Sequence, residues 1–112
     1  MGSDPFTVLG ALQADIRSGY FGSSPGLESV DFQAPASRAN AAGNLIPLAD
    51  NWYALGLSKG NAYINKTGRT QLRLRFTLDD NDNNANDYLN LYSGNIPTAA
   101  NKPKLIVKYF IP

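Results

Sequence analysis

Short stretches in which apolar and polar residues alternate recur along this chain, and each one predicts a β-strand. The clearest stretch covers residues 70–78. A strict period of two is typical of a half-buried strand, because successive side chains of a strand point to opposite faces. The apolar face of this predicted strand holds Leu72, Leu74, Phe76 and Leu78, and the polar face holds Gln71, Arg73, Arg75 and Thr77.

The same alternation predicts further strands, and glycine and proline separate them. These strands cover residues 12–17, 52–57, 88–92 and 104–109, with a weaker strand over 44–48. Two short helical turns are predicted over residues 27–32 and 61–66. About six strands with long connections indicate an all-β fold, an antiparallel β-sandwich or jelly roll, in one domain spanning residues 1–112.

Composition narrows the choice of function. Charged residues make up 17% of the chain, against about 25% in typical domains, and the net charge is only +1. A surface this close to neutral does not steer a protein onto nucleic acid or anionic lipid. No apolar run is long enough to span a membrane. We therefore expect no nucleic-acid partner and no membrane partner.

The chain contains no cysteine and no histidine, so thiolate and imidazole chemistry are excluded. Paired carboxylates offer one remaining route to catalysis, but Glu28 and Asp31 lie on one predicted helical turn and nothing indicates a cleft around them. We expect this chain not to be an enzyme. Residues 1–6 also lack the basic and apolar regions of a signal peptide, so an exported parent would carry its signal elsewhere.

The acidic loop at residues 79–87 is a candidate calcium site. Carboxylate and amide oxygens suit a hard cation, and the first candidates as ligands are Asp79, Asp80, Asp82 and Asp87. However, Ala85 and Leu91 stand where an EF-hand loop requires glycine and glutamate. The alternative is a polar hairpin loop whose side chains bond their own backbone. A structural calcium ion is thus the only cofactor that the sequence suggests.

Aromatic and arginine side chains supply a second candidate site, for a carbohydrate. A sugar ring stacks its C–H face on a flat aromatic ring, and an arginine fork binds carboxylated sugars. The candidates are Tyr20, Phe21, Trp52, Arg73, Arg75, Tyr88 and Tyr92. The alternative for the aromatic rings is that they fill the core, with Tyr20 and Phe21 the most exposed pair. The alternative for the arginines is that they form the solvent-exposed face of an edge or outer strand and pair with an acidic residue on a neighbouring strand.

The order of several motifs resembles one family. Residues 64–95, INKTGRTQLRLRFTLDDNDNNANDYLNLYSGN, and residues 101–112, NKPKLIVKYFIP, are similar to the C-terminal end of the DNRLRE-type module. The segments at residues 4–22, 31–38 and 51–58 resemble the middle of the same module. This module recurs in secreted bacterial and archaeal surface proteins and is grouped with carbohydrate-binding modules. The resemblance implies an extracellular or cell-surface location, as part of an exported parent.

The chain departs from the family pattern because the first strands of the module are missing. A sandwich without those strands would expose an apolar face and unpaired edges, so we expect a homo-oligomer or a partner-completed assembly. The resemblance implies a non-catalytic module for carbohydrate binding or adhesion, with polysaccharide as its partner. The alternative is a structural subunit of an extracellular assembly, completed by strand exchange with other copies. A fragment without a function of its own is the third interpretation.

Overall fold

The computed structural model describes residues 5–43, 45–78, 82, 84 and 89–111. One helical turn, α1 (Pro5–Val8), precedes the strand β1 (Leu12–Ser18). The remaining strands are β2 (Leu45–Pro47), β3 (Tyr53–Leu55) and β4 (Thr70–Phe76). Short 3₁₀ turns lie between and after them, at Ser29–Phe32, Ala49–Asn51, Asn61–Tyr63 and Ala99–Asn101.

The main sheet pairs β1 with β4 in antiparallel register, although more than fifty residues separate them in sequence. Leu12 lies opposite Phe76, and Ser18 lies opposite Thr70. Because directly opposed residues share a face, the apolar side chains of both strands lie together and the polar side chains lie together on the other face. The two alternating patterns of the sequence are therefore in phase across the sheet.

The second sheet is a small hairpin of β2 and β3, in which Leu45 lies opposite Leu55. Its connection turns sharply through Asp50 and Asn51, which have φ angles of 59° and 61°. Aspartate and asparagine tolerate this left-handed conformation better than other non-glycine residues. The hairpin is joined to the main sheet through Phe6, whose ring contacts the rings of Tyr53 and Phe76 at centroid distances of 6.3 and 5.4 Å.

The core lies on β1. Ala14 and Ile16 are buried on the apolar face, where Gly60 approaches closely. A Cβ atom on Gly60 would lie 3.1 Å from the Ala41 side chain and 3.4 Å from that of Ile16. The outer edge of β1 is also bonded, because Ile16 and Arg38 exchange backbone hydrogen bonds. β1 is thus enclosed on both faces and bonded along both edges.

The coarse prediction of fold class is confirmed, since the strands form two antiparallel sheets with a few helical turns. The strands predicted over residues 44–48, 52–57 and 70–78 contain β2, β3 and β4, and the strand predicted over 12–17 covers β1 except for its last residue, Ser18. Both predicted helical turns contain a 3₁₀ turn. Two predicted strands are wrong for the described residues, because no strand forms over 89–92 or 104–109. Tyr88, which begins the first of these, lies outside the described residues.

Candidate functional site

A buried ion cluster occupies the polar face of the main sheet. The register places Asp15 directly opposite Arg73 and leaves Arg75 one pair further along on the same face. Asp15 Oδ2 accepts hydrogen bonds from Arg73 Nη2 at 2.6 Å, from Arg73 Nε at 3.0 Å and from Arg75 Nε at 2.8 Å. Two arginines therefore converge on one carboxylate oxygen.

The carboxylate of Asp15 is fully buried, with no exposed surface. Its second oxygen, Oδ1, accepts the backbone N–H of Asn40 at 2.9 Å. Burial alone would raise the pKa of Asp15, but hydrogen bonds from Arg75, Asn40 and Arg73 outweigh it and hold the pKa below its ordinary value. The aspartate is therefore ionised at neutral pH and stabilises both guanidinium groups.

Arg73 also ties a long loop to the sheet. Its Nη1 donates to the backbone carbonyls of Asp31 at 2.7 Å and Ala34 at 2.9 Å. Its guanidinium lies 4.5 Å from the centre of the Phe21 ring, which is the geometry of a cation–π contact. Because its N–H groups donate to these groups of the protein, Arg73 holds residues 21–34 against the sheet and does not present a free guanidinium group to a ligand.

The two carboxylates of that loop serve its own backbone. Glu28 Oε2 accepts the backbone N–H groups of Ser23 and Ser24 at 3.1 and 3.0 Å. These bonds, led by those from Ser23, lower the pKa of Glu28. Asp31 Oδ2 accepts the backbone N–H of Glu28 at 2.8 Å, while Asp31 Oδ1 is buried without a partner. The pair shapes the loop through these hydrogen bonds to its backbone.

The aromatic residues predicted to bind a sugar differ in exposure among those that the structure describes, which do not include Tyr88. Tyr20 and Tyr92 are exposed, while Trp52 is half-buried, with the ammonium group of Lys104 5.2 Å from its ring centre. The prediction that Phe21 is exposed is wrong: its ring is only 4% exposed because Arg73 covers it. The arginines do pair with an acidic residue on a neighbouring strand, Asp15, but the prediction that their face is exposed to solvent is wrong at this point, because Asp15 is fully buried and Arg73 is largely covered. The structure thus brings together Phe21, Arg73 and Arg75.

The predicted calcium loop falls mostly outside the described residues, which include neither Asp79 nor Asp80 nor Asp87. Asp82 is exposed and has a φ angle of 55°. Among the residues that the structure describes, no group of three or more acidic side chains could hold a metal ion. The calcium site stays a prediction.

β4 differs from β1 because its apolar face is open. Leu72 and Leu74 are 44% and 47% exposed, whereas Ile16 and Ala14, which lie opposite them on β1, are buried. Phe6 packs on Phe76 at one end of this face, but the residues that cover the apolar side chains of β1 do not extend over Leu72 and Leu74. Two leucines at the centre of a strand therefore lie in contact with water, which is unfavourable in proportion to their apolar area.

The outer backbone edge of β4 is also open. Thr77 N donates to Ala11 O, and Gly19 N donates to Arg69 O. Because hydrogen-bonded pairs alternate along an antiparallel ladder, the odd-numbered residues of β4 bond to β1. The even-numbered residues, Leu72 and Leu74, direct their N–H and C=O groups outward. Within the described part of the chain, no strand pairs with this edge.

The C-terminal segment is the largest exposed apolar region. Residues 103–111 carry six large hydrophobic side chains that are exposed, and Phe110 is exposed completely. The segment begins at the 3₁₀ turn Ala99–Asn101 and passes Trp52, where Lys104 makes its contact. No residue among 103–111 belongs to a strand or helix.

The exposed area of the chain is far above that of a compact monomer. At 12.1 kDa, a compact monomer exposes about 6,000 Å², but this chain exposes 8660 Å². Its radius of gyration is 15.3 Å, against about 13 Å for a compact chain of this length. The surplus of roughly 2,600 Å² is more than the approximately 800 Å² that each partner hides in a standard protein interface.

Comparisons of this chain with known proteins give no match. No protein-family model matches it, and neither a curated protein nor a solved structure shows significant similarity to it. Among the residues described here, no helix is both long and apolar enough to cross a membrane.

Proposed function

We propose that this chain is a non-catalytic structural subunit of an extracellular assembly, and that association with another chain completes its fold. The observation that carries the proposal is the combination of an open apolar face, an open strand edge and a large surplus of exposed surface. Exposed strand edges and large apolar patches are rare in monomers and typical of surfaces that bind other chains. The extracellular location rests on the resemblance of the sequence to modules of secreted surface proteins.

The charged cluster supports a structural role over a catalytic one. A catalytic acid or base needs access to substrate and a pKa near the working pH. Asp15 is inaccessible and its pKa is lowered, so it is suited to holding two arginines in place. In this proposal, the cluster keeps β1 and β4 rigidly paired, and a rigid β4 is what an incoming strand requires.

The completed fold that we propose is an antiparallel β-sandwich. In such a fold a second layer covers the apolar face of the main sheet about 10 Å away. The leucine face of β4 is the part of the main sheet that lacks this layer. An assembled particle would therefore contain the sandwich, and a single chain would contain only part of it.

Light scattering over a concentration series tests the proposed function. We expect a species of at least twice 12.1 kDa that persists as the protein is diluted into the micromolar range. A folded chain that remains monomeric at every concentration would contradict the proposal, because the surplus surface would then be tolerated in water.

Carbohydrate binding or adhesion is the second candidate function. The observation that favours it is the exposed side chain of Tyr20, which precedes Phe21 in the sequence, where Arg73 packs on the Phe21 ring. A glycan array tests it with the assembled protein, with and without added calcium. We expect binding that Tyr20→Ala weakens and that Tyr63→Ala, a tyrosine on a distant 3₁₀ turn, leaves unchanged. Equal binding by both variants would contradict a role for Tyr20.

A further inference from the structure

We propose that the C-terminal segment, residues 104–110, of a second copy of this chain adds as a strand to the open edge of β4. This inference rests on the proposed function and names the partner and the surface. The segment acts as the donor and β4 acts as the acceptor, and each copy carries both.

The donor segment has the properties of a strand without a partner. Leu105, Val107 and Tyr109 alternate with Lys104, Ile106 and Lys108. It spans seven residues, the same length as β4. Its large apolar side chains are exposed, so docking would remove a contiguous apolar surface from water.

The acceptor edge offers matching backbone groups. The N–H and C=O groups of Leu72 and Leu74 point away from β1, and they sit at the centre of a strand that the ion cluster fixes in place. A strand that lies beside another at about 4.8 Å bonds to such outward groups. An added strand would therefore gain main-chain hydrogen bonds that water alone now supplies.

The alternating side chains of the donor can be placed so that one set lies on the same face as the leucines of the acceptor. When Leu105, Val107 and Tyr109 lie on the leucine face of β4, they cover Leu72 and Leu74. Lys104, Ile106, Lys108 and Phe110 then fall on the arginine face. Lysine can extend its ammonium group to solvent past such a face, but the repulsion from Arg75 remains. The association should therefore strengthen as salt screens these like charges.

A second copy is the occupant that the chain itself points to. The donor and the acceptor are both unsatisfied in one chain, so two copies related by a twofold axis would satisfy both at once. A reciprocal exchange uses two donors and two edges, so that each copy both gives a strand and receives one. A different protein partner would fill the edge of β4 but would leave the C-terminal segment exposed.

Disulfide trapping tests the inference, because the natural chain has no cysteine. Leu74→Cys is mixed in turn with single cysteine variants at Leu105, Val107 and Tyr109, and the mixture is oxidised. Neighbouring strands bring Cα atoms within the 7 Å that a disulfide requires. We expect at least one mixture to give a covalent dimer that contains one chain of each variant.

The matched control replaces Leu74→Cys by Ile46→Cys. Ile46 is an exposed residue of β2, in the other sheet. Its mixtures should yield at least tenfold less cross-linked dimer. The double variant Leu74→Cys/Val107→Cys gives a second readout, since closure of a chain by its own segment produces a cross-linked species of single mass. That product as the main species would overturn the inference.

The outcomes separate this inference from the proposed function. If the natural chain associates but Leu74→Cys cross-links no better than Ile46→Cys, the inference is overturned while the assembly function stands. If the natural chain is monomeric throughout, both are overturned.

A charge in the donor segment supplies an independent test. Val107→Asp would place a carboxylate on the leucine face, and burying an unpaired charge is strongly unfavourable. We expect association at least about 100-fold weaker, while circular dichroism of the single chain stays unchanged because Val107 is exposed there. Ile46→Asp is the control that should retain association. Equal association by both variants would overturn the inference.

Discussion

β1 and the C-terminal segment have the same alternating pattern and opposite environments. β1 is bonded along both edges and buried at its centre, while residues 104–110 are exposed and belong to no strand in the single chain. The difference shows that an alternating pattern gives a segment the capacity to form a strand. The strand itself forms only where a second backbone is available to hydrogen-bond with it. β4 is intermediate, because its polar face is covered and its inner edge is bonded to β1, while its apolar face and its outer edge are open.

We expect removal of the buried carboxylate of Asp15 to have the largest effect on the stability of the enclosed strand β1. Asp15→Asn preserves the shape of the side chain but leaves Arg73 and Arg75 without a counter-charge. Breaking a buried ion pair by loss of one partner typically costs about 3–5 kcal/mol. We expect a loss of this size in the free energy of unfolding, measured by urea titration.

Asp50→Asn is the matched control for that substitution. Asp50 is exposed, and asparagine tolerates its left-handed backbone. It should change the free energy of unfolding by less than about 0.5 kcal/mol. An equal, small effect of both variants would show that the ion cluster does not stabilise the pairing of β1 with β4.

Truncation of one apolar residue in each strand compares the buried half of the apolar face, on β1, with its exposed half, on β4. Ile16 is buried and lies opposite Leu72, whereas Leu74 is half exposed. Ile16→Ala should cost about 2–5 kcal/mol. Leu74→Ala should cost less than about 1 kcal/mol in dilute protein, because little of its surface is hidden there. The measurement is urea unfolding below the concentration at which chains associate.

The outcome of that comparison has a clear alternative. If Leu74→Ala is as costly as Ile16→Ala in dilute protein, the face of β4 is covered within a single chain. The openness of β4, and the need for a partner, would then be refuted together.

The sequence predicted best those elements whose signal is local. The alternation over residues 70–78 and 12–17 was sufficient for β4 and β1, because each is a long strand with a strict period. The same alternating pattern predicted a strand over residues 104–109 that does not form. The pattern describes one segment only and carries no information on whether the edge of another strand is available to pair with it. The turn α1 has no apolar period of its own and was not predicted.

The ion cluster could be predicted only in part. The arginine row pointed to an acidic partner on a neighbouring strand, and that partner is Asp15. The signal that would have named it is its place at the centre of the polar face of residues 12–17, between Gln13 and Arg17. What the sequence could not supply is the register, which depends on long-range pairing. The cover of Phe21 by Arg73 depends on that register as well.

Replacement of each arginine of the cluster by lysine should lower the free energy of unfolding by a smaller amount. The two variants should also show which arginine contributes more to stability. Arg73 serves Asp15, two or more backbone carbonyls and the Phe21 ring, whereas Arg75 is more exposed and serves Asp15. Lysine retains the charge but loses the planar fork. We expect Arg73→Lys to cost about 1–3 kcal/mol and Arg75→Lys to cost less than about 1 kcal/mol. Urea unfolding measures both, and a reversed order would contradict the tie between Arg73 and the loop.

The effect of acid on the free energy of unfolding should be the smallest of these effects, and it also reports on the ion cluster. The pKa of Asp15 is raised by burial but lowered, on balance, by hydrogen bonds from Arg75, Asn40 and Arg73. A carboxyl group whose pKa is lower in the folded state contributes stability that is fully present above its unfolded pKa, about 3.9. That contribution is lost as the pH falls from about 4 through the lower folded pKa, when the aspartate becomes protonated and the arginines lose their counter-charge.

Arg75→Gln isolates the part of this dependence that comes from the cluster. The substitution removes one of the groups that lower the pKa of Asp15, so the folded value moves back towards the ordinary one. Glu28, whose pKa is lowered by its bonds from Ser23 and Ser24, is present in both proteins and cancels in the comparison. We expect the free energy of unfolding to fall less between pH 5 and pH 2 in the variant than in the natural chain. Parallel curves would mean that the stability of the enclosed strand does not depend on the charge of Asp15.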